Sequence, residues 1–202
     1  MKNPRRNAPS IQRFVGFLHG LGRQQDRAAL AALRQSAADP QDLRALRVIG
    51  SYLPEDEGWP VEAYRLTAVL FALHQQKYAD RPLPQFSEGE PRRSFGASVR
   101  RLRNQLPGDD DDSGGKKSLD QRFAALLDTY AEDLAVPLRG MIRRIAGTDE
   151  PIPVDYALLL ADLLDWERRS RTFDRRLAWA RDYWQPIPIE SEAETPALVS
   201  EA

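Results

Sequence analysis

Hydrophobic residues recur along this chain with helical period, and no stretch alternates with period two over any length. Ser10 reads as an N-cap for a helix carrying Ile11, Phe14, Val15, Leu18 and Leu21, closed by Gly20 and Gly22. Asp26 caps a second predicted helix, where Leu30 and Leu33 sit among alanines, which are strong helix formers. Asp39-Pro40 opens a third, with the stripe Leu43, Leu46, Ile49 and Leu53, and Pro54 stops it. From Pro60 a longer helix carries Val61, Tyr64, Ala68, Phe71 and Ala72. It is apolar on most sides between Leu66 and Leu73, as the central helix of the first half would be. Arg81–Pro91, with three prolines and one glycine, reads as a loop.

The second half repeats the pattern. Ser118-Leu-Asp-Gln121 has the form of a capping box and launches the stripe Phe123, Leu126, Leu127, Tyr130 and Leu134. Pro137 starts a helix with Leu138, Met141, Ile142 and Ile145 inward and Arg139, Arg143 and Arg144 outward; Gly147 ends it. A leucine-rich helix follows with Tyr156, Leu159, Leu160, Leu163 and Trp166. The last carries Phe173, Leu177, Ala180 and Trp184 on one predicted core face, before Pro186 and Pro188. The prediction is an all-α fold of about nine helices, without a sheet, in two small bundles. The bundles cover 10–108 and 116–186, divided at Pro107–Lys117, and the acidic tail 187–202 reads as disordered.

Charge changes the picture at Arg92–Leu106, RRSFGASVRRLRNQL, which has five arginines and no acid. In a helix from Phe95, the residues Phe95, Val99, Leu102 and Leu106 form a narrow apolar stripe, and Arg100, Arg101 and Arg103 fan out opposite. A helix face built for solubility mixes signs to gain i,i+4 pairs. A single-sign face is the footprint of a phosphate-binding surface, with a plain solvated surface as the alternative. The net charge of −1 conceals this, because eight carboxylates lie in the tail (Glu190, Glu192, Glu194, Glu201) and one loop (Asp109–Asp112); without them the body carries +7. Exposed charges act only within roughly 8 Å at physiological salt, so the local field decides. Trp166–Trp184 holds six further arginines. An unbroken helix there would put Arg168, Arg171, Arg175 and Trp179 together, away from the core stripe. Arginine beside an exposed aromatic binds phosphate and stacks on a base; the alternative for Trp179 is packing on a neighbouring helix. The candidate nucleic-acid contacts are thus Arg92, Arg93, Arg100, Arg101, Arg103, Arg143, Arg144, Arg168, Arg171 and Arg175.

Catalytic signals are scarce. With no cysteine, disulfides, thiolate catalysis and zinc–thiolate sites are excluded. The two histidines, His19 and His74, lie on different predicted helices without an acid or serine at triad spacing, and read as surface or half-buried packing residues. Asp109–Asp112 stands beside glycines, whereas hard cations want oxygens pre-arranged by rigid structure. There is no GxxxxGK[ST] loop and no GxGxxG after a strand. No catalytic residue, metal or cofactor is predicted. No apolar run approaches 18 residues and no leader precedes the first helix, so neither a membrane span nor a signal peptide is expected and the cytoplasm suits the chain.

Several stretches in order resemble one family. They are RFVGFLHGL (Arg13–Leu21), DRAALAALR (Asp26–Arg34), LFALH (Leu70–His74), SFGASVRRL (Ser94–Leu102), RFAALL (Arg122–Leu127), VDYALLLADLLDW (Val154–Trp166) and RRLAWARDYW (Arg175–Trp184). The chain resembles the CasB proteins, the small subunit of the type I-E CRISPR Cascade surveillance complex. It departs from them at Val99, where the family usually shows leucine, at Asp109–Asp112, and in the acidic tail. The resemblance implies an all-helical, non-catalytic subunit present in more than one copy along the complex. Its partners would be the backbone-forming and large Cascade subunits, the guide RNA and the target DNA, with arginines holding the displaced strand. R-loop formation is a near-balanced exchange of duplexes, so modest backbone contacts tip it, and such contacts need no sequence preference. A rival from another class is a helical scaffold whose arginines bind acidic protein surfaces without touching nucleic acid.

Overall fold

The computed structural model describes residues 4–37, 43–87, 89–90, 93–107, 115–167 and 169–184. Among these residues the fold is all-α, with nine helices and no strand. They are α1 (Pro9–Arg23), α2 (Arg27–Gln35), α3 (Leu43–Ile49), α4 (Trp59–Gln75), α5 (Phe95–Gln105), α6 (Gly115–Asp128), α7 (Ala135–Ala146), α8 (Tyr156–Trp166) and α9 (Arg169–Tyr183). The Asp39-Pro40 helix start, the Asp109–Asp112 loop and the 187–202 tail lie outside the described residues.

Local chemistry explains most starts. Asp26 caps α2 by accepting from the Ala29 amide at 2.9 Å, and Asp155 caps α8 through the Leu158 amide, also at 2.9 Å. Four predicted starts move toward the N-terminus, α4 by one residue to Trp59. Pro9 takes the first position of α1, which displaces Ser10 as the cap, and α7 begins at Ala135, two residues before Pro137. Helix α6 begins at Gly115, so the predicted capping box lies inside the helix. There the Ser118 hydroxyl accepts from Arg122 Nε at 3.4 Å.

Helix α4 is the axis of the molecule. It is buried on nearly every side from Ala63 to Ala72 and packs against α2, α7 and α8. Trp59 at its start donates to the Leu163 carbonyl of α8 at 2.6 Å. Near its end His74 Nδ1 lies 3.1 Å from the hydroxyl of Tyr156. Far from being a surface or half-buried residue, His74 is fully enclosed, and burial lowers its pKa to about 4. The two halves of the chain also meet where α5 packs on α9 and α7 and where α1 packs on α8, and buried apolar residues of both halves form one continuous set. No helix among the described residues is long and apolar enough to cross a membrane.

Four predicted core positions are exposed: Leu43, Tyr130, Phe173 and Trp184. The α9 result is a change of phase. Its buried line is Thr172, Arg175, Trp179 and Tyr183, not the predicted Phe173, Leu177, Ala180 and Trp184. The period is right and the face is wrong, because an arginine occupies the core side.

Candidate nucleic-acid interface

Helix α5 is held by its apolar and small residues. Phe95, Val99 and Leu102 are buried, and Phe95 packs on Trp179, whose ring stands 4.9 Å from that of Trp166. The Ser98 hydroxyl donates to the Pro153 carbonyl at 2.7 Å. Gly96 lies so close to α9 that a Cβ there would stand 2.0 Å from the Trp179 carbonyl oxygen. This seat fixes which side of α5 faces outward, and that side carries Arg100, Arg101 and Arg103.

The three arginines differ in their neighbours. Arg100 is half-exposed and makes no ion pair with a described residue. Arg101 pairs with Glu90 from the preceding loop, and its guanidinium lies 5.2 Å above the centre of the Phe86 ring. Arg103 grips Asp120 of α6 with both Nε (2.8 Å) and Nη2 (3.1 Å). The Tyr183 hydroxyl also donates to Asp120, at 2.5 Å. Partial burial raises the Asp120 pKa, but the bonds from Arg103 and Tyr183 outweigh it and hold the carboxyl below its ordinary range. For Tyr183, burial and then the bond to Asp120 push the phenol upward.

Of the other described candidates, Arg93 is half-exposed and Arg143, Arg144 and Arg171 are exposed. Arg93 donates to the carbonyls of Glu90 (3.1 Å) and Ser87 (2.7 Å), so it ties the loop together. Arg143 and Arg144 lie on α7, and Arg144 joins Leu102, Gln105 and Leu106 of α5 in lining an open groove of about 460 Å³, which Asp149 and Glu150 also line. Arg171 is exposed, with Nη1 3.5 Å from Asp165. Arg92 and Arg168 lie outside the described residues.

Arg175 must be corrected. It faces the core, with Nη1 3.8 Å from Asp162 and Nε 3.5 Å from Asp165, both buried on α8. Trp179, the expected aromatic partner, is fully buried and donates its indole N–H to Asp162 at 2.8 Å. Arg175 and Trp179 therefore bind α8, and neither is available to phosphate or base. Sequence reasoning also missed Glu90, Asp120 and Phe86, the groups that surround Arg101 and Arg103. They are remote in sequence or in a proline-rich loop; the only available signal was that an acid-free helix must find its counter-charges elsewhere.

A family model described as CRISPR-associated protein Cse2 matches residues 29–184. The chain belongs to the Cse2 family. It is similar to the CRISPR-associated protein Cse2 of Thermus thermophilus, 29% identical over 187 residues, which are 90% of this chain and 94% of that one. Among solved structures it superposes on CasB of M. ruber with a TM-score of 0.63 at 29% identity, covering 87% of this chain and 92% of the other. A chain of a CRISPR RNA-guided surveillance complex shares the fold, with a TM-score of 0.57 at 18% identity over 86% and 93% of the two chains. The Cse2 match spans α5, α7 and α9, and so takes in every described arginine discussed above.

Proposed function

We propose that this Cse2-family protein is the non-catalytic small subunit of a type I-E Cascade complex, holding nucleic-acid backbone on the arginine faces of α5 and α7. It assembles with the backbone and large subunits and with further copies of itself, around guide RNA and target DNA, and there stabilises the R-loop. Family membership supports the setting, as does the fold shared with a chain of an RNA-guided surveillance complex. One observation carries the binding role: α5 is anchored by Phe95, Gly96, Val99 and Leu102 while Arg100, Arg101 and Arg103 face outward, with Arg144 on the adjoining groove. Such contacts read phosphate, not base, which suits a subunit whose guide supplies sequence recognition.

Reversing all three arginines of α5 to glutamate tests the role. Two of the changes turn a partly exposed ion pair into like charges, each costing on the order of 1 kcal/mol or less, so the helical circular dichroism and subunit assembly persist. Single-stranded DNA affinity falls, and the log–log salt slope becomes shallower by about 2, three phosphates at roughly 0.7 each. The carboxylates already seated on Arg101 and Arg103 favour one rival, a scaffold whose arginines bind acidic protein surfaces. A wild-type salt response that is flat supports that rival and overturns nucleic-acid binding.

A further inference from the structure

The arginines of the candidate surface fall into two groups by burial. Arg175 and its partner Asp165 have side chains only 6% and 1% exposed, so separating them would leave charge stranded in the core. Arg101 with Glu90 and Arg103 with Asp120 are different, at 42% with 24% and 32% with 30%. Pairs this open to water contribute little stability and separate readily. Their geometry is also that of a phosphate contact. A carboxylate and a phosphodiester both accept the forked guanidinium, and Asp120 receives Arg103 through both of its oxygens.

Arg101 keeps support when its acid leaves. The Phe86 ring beneath it holds the guanidinium by a cation–π contact that does not involve Glu90. Asp120 is the more firmly held acid, since the buried Tyr183 also donates to it. Building on the nucleic-acid reading, we propose that Glu90 and Asp120 are placeholders for phosphate. They hold Arg101 and Arg103 in the free protein and yield them to the backbone of a bound single strand. The two acids thereby set the affinity of the surface. A lone small anion gains too little to displace them, whereas a strand already held at Arg100 and Arg144 delivers its next phosphates at high effective concentration.

The test uses Glu90→Gln and Asp120→Asn in the full chain, with a labelled single-stranded oligonucleotide of mixed sequence followed by fluorescence anisotropy across a salt series. Each variant keeps a hydrogen-bond acceptor and removes the competing charge. Each is expected to tighten binding about fivefold near 0.1 M salt with the log–log slope changed by less than about 0.7, because the same phosphates are neutralised in the complex. The double variant is expected to gain roughly 25-fold, again with the wild-type slope. Glu57→Gln, which removes an exposed acid before α4, is the control and changes affinity less than about twofold. Asp120 also bonds Tyr183, so melting is recorded for its variant; Glu90 lies in a surface loop, and its variant tests the proposal independently. Wild-type binding that Glu90→Gln leaves unchanged, or an equal gain from Glu57→Gln, overturns the proposal alone. No binding by any form at the lowest salt overturns the nucleic-acid reading and this proposal with it.

Discussion

Gly96 is where the position of the basic helix is decided, and Gly96→Ala tests that directly. The added Cβ would lie 2.0 Å from the Trp179 carbonyl oxygen, 2.7 Å from its carbon and 2.9 Å from its Cα. Van der Waals contact needs about 3.5 Å, so roughly 1.5 Å of separation must be found. All three atoms are backbone of α9, and no side-chain rotation relieves the clash. Overpacking of this kind costs about 1–3 kcal/mol, against which alanine returns about 1 kcal/mol of helix propensity. The difference is about 0–2 kcal/mol, and a 2.0 Å approach to backbone that cannot rotate away puts the expected net at the upper end, about 2 kcal/mol, a few degrees of melting temperature for a domain of this size. Gly140 of α7 supplies the control of opposite sign. It sits in mid-helix, and a Cβ added there would meet nothing within 4 Å, so Gly140→Ala is expected to stabilise by about 0.5–1 kcal/mol. Urea unfolding of the two variants beside wild type reads both values. If Gly96→Ala matches or exceeds wild-type stability, the close α5–α9 approach is wrong, and the argument for how α5 presents its arginines goes with it.

Two further predictions concern the core. The fold holds His74 neutral, with its pKa at about 4 against an ordinary 6.5, so the unfolded chain binds the extra proton first as pH falls. Stability is full above pH 6.5 and is lost down to about 4, by roughly 3 kcal/mol at about 1.4 per unit; His74→Gln removes that part, and urea midpoints at pH 7.5 and 4 that drop equally in both proteins refute it. Arg175→Ala leaves Asp162 and Asp165 short of a buried counter-charge and is expected to cost about 3 kcal/mol or more, while Arg171→Ala costs under about 1 kcal/mol. Equal melting temperatures for these two variants would show that Arg175 is not the buried partner.

Sequence pattern reached the helices readily, because helical periodicity is local. It marked α4 as the central helix of the first half from its all-round apolar run, without showing that α7 and α8 pack on it too, and placed Phe95, Val99 and Leu102 on the buried side of α5. What it could not show is which distant groups meet. The α9 stripe was assigned by apolar residues alone, and the rule fails where the core is polar. Asp162 and Asp165 lie one turn apart on α8 and face α9, so the side of α9 that meets them is the one with Arg175. Phe173, on the other side, is left in water. His74 shows the same limit: Tyr156, 82 residues away, provides the hydrogen bond that permits its burial.

One residue type thus serves three purposes here, and burial of the partner separates them. Arg175 meets carboxylates already removed from water, so its charge is spent on joining α8 to α9. Arg93 meets loop carbonyls, which leave its charge uncompensated while fixing its position. Arg101 and Arg103 meet carboxylates that water still reaches, and Arg100 meets none among the described residues. Arg93, Arg101 and Arg103 thus combine a fixed position with a charge that another anion can claim, and Arg175 does not. Counting arginines in the sequence cannot make that division, since all three kinds occur within runs that look alike. The ability to bind phosphate depends on where the nearest acids stand and how wet they are.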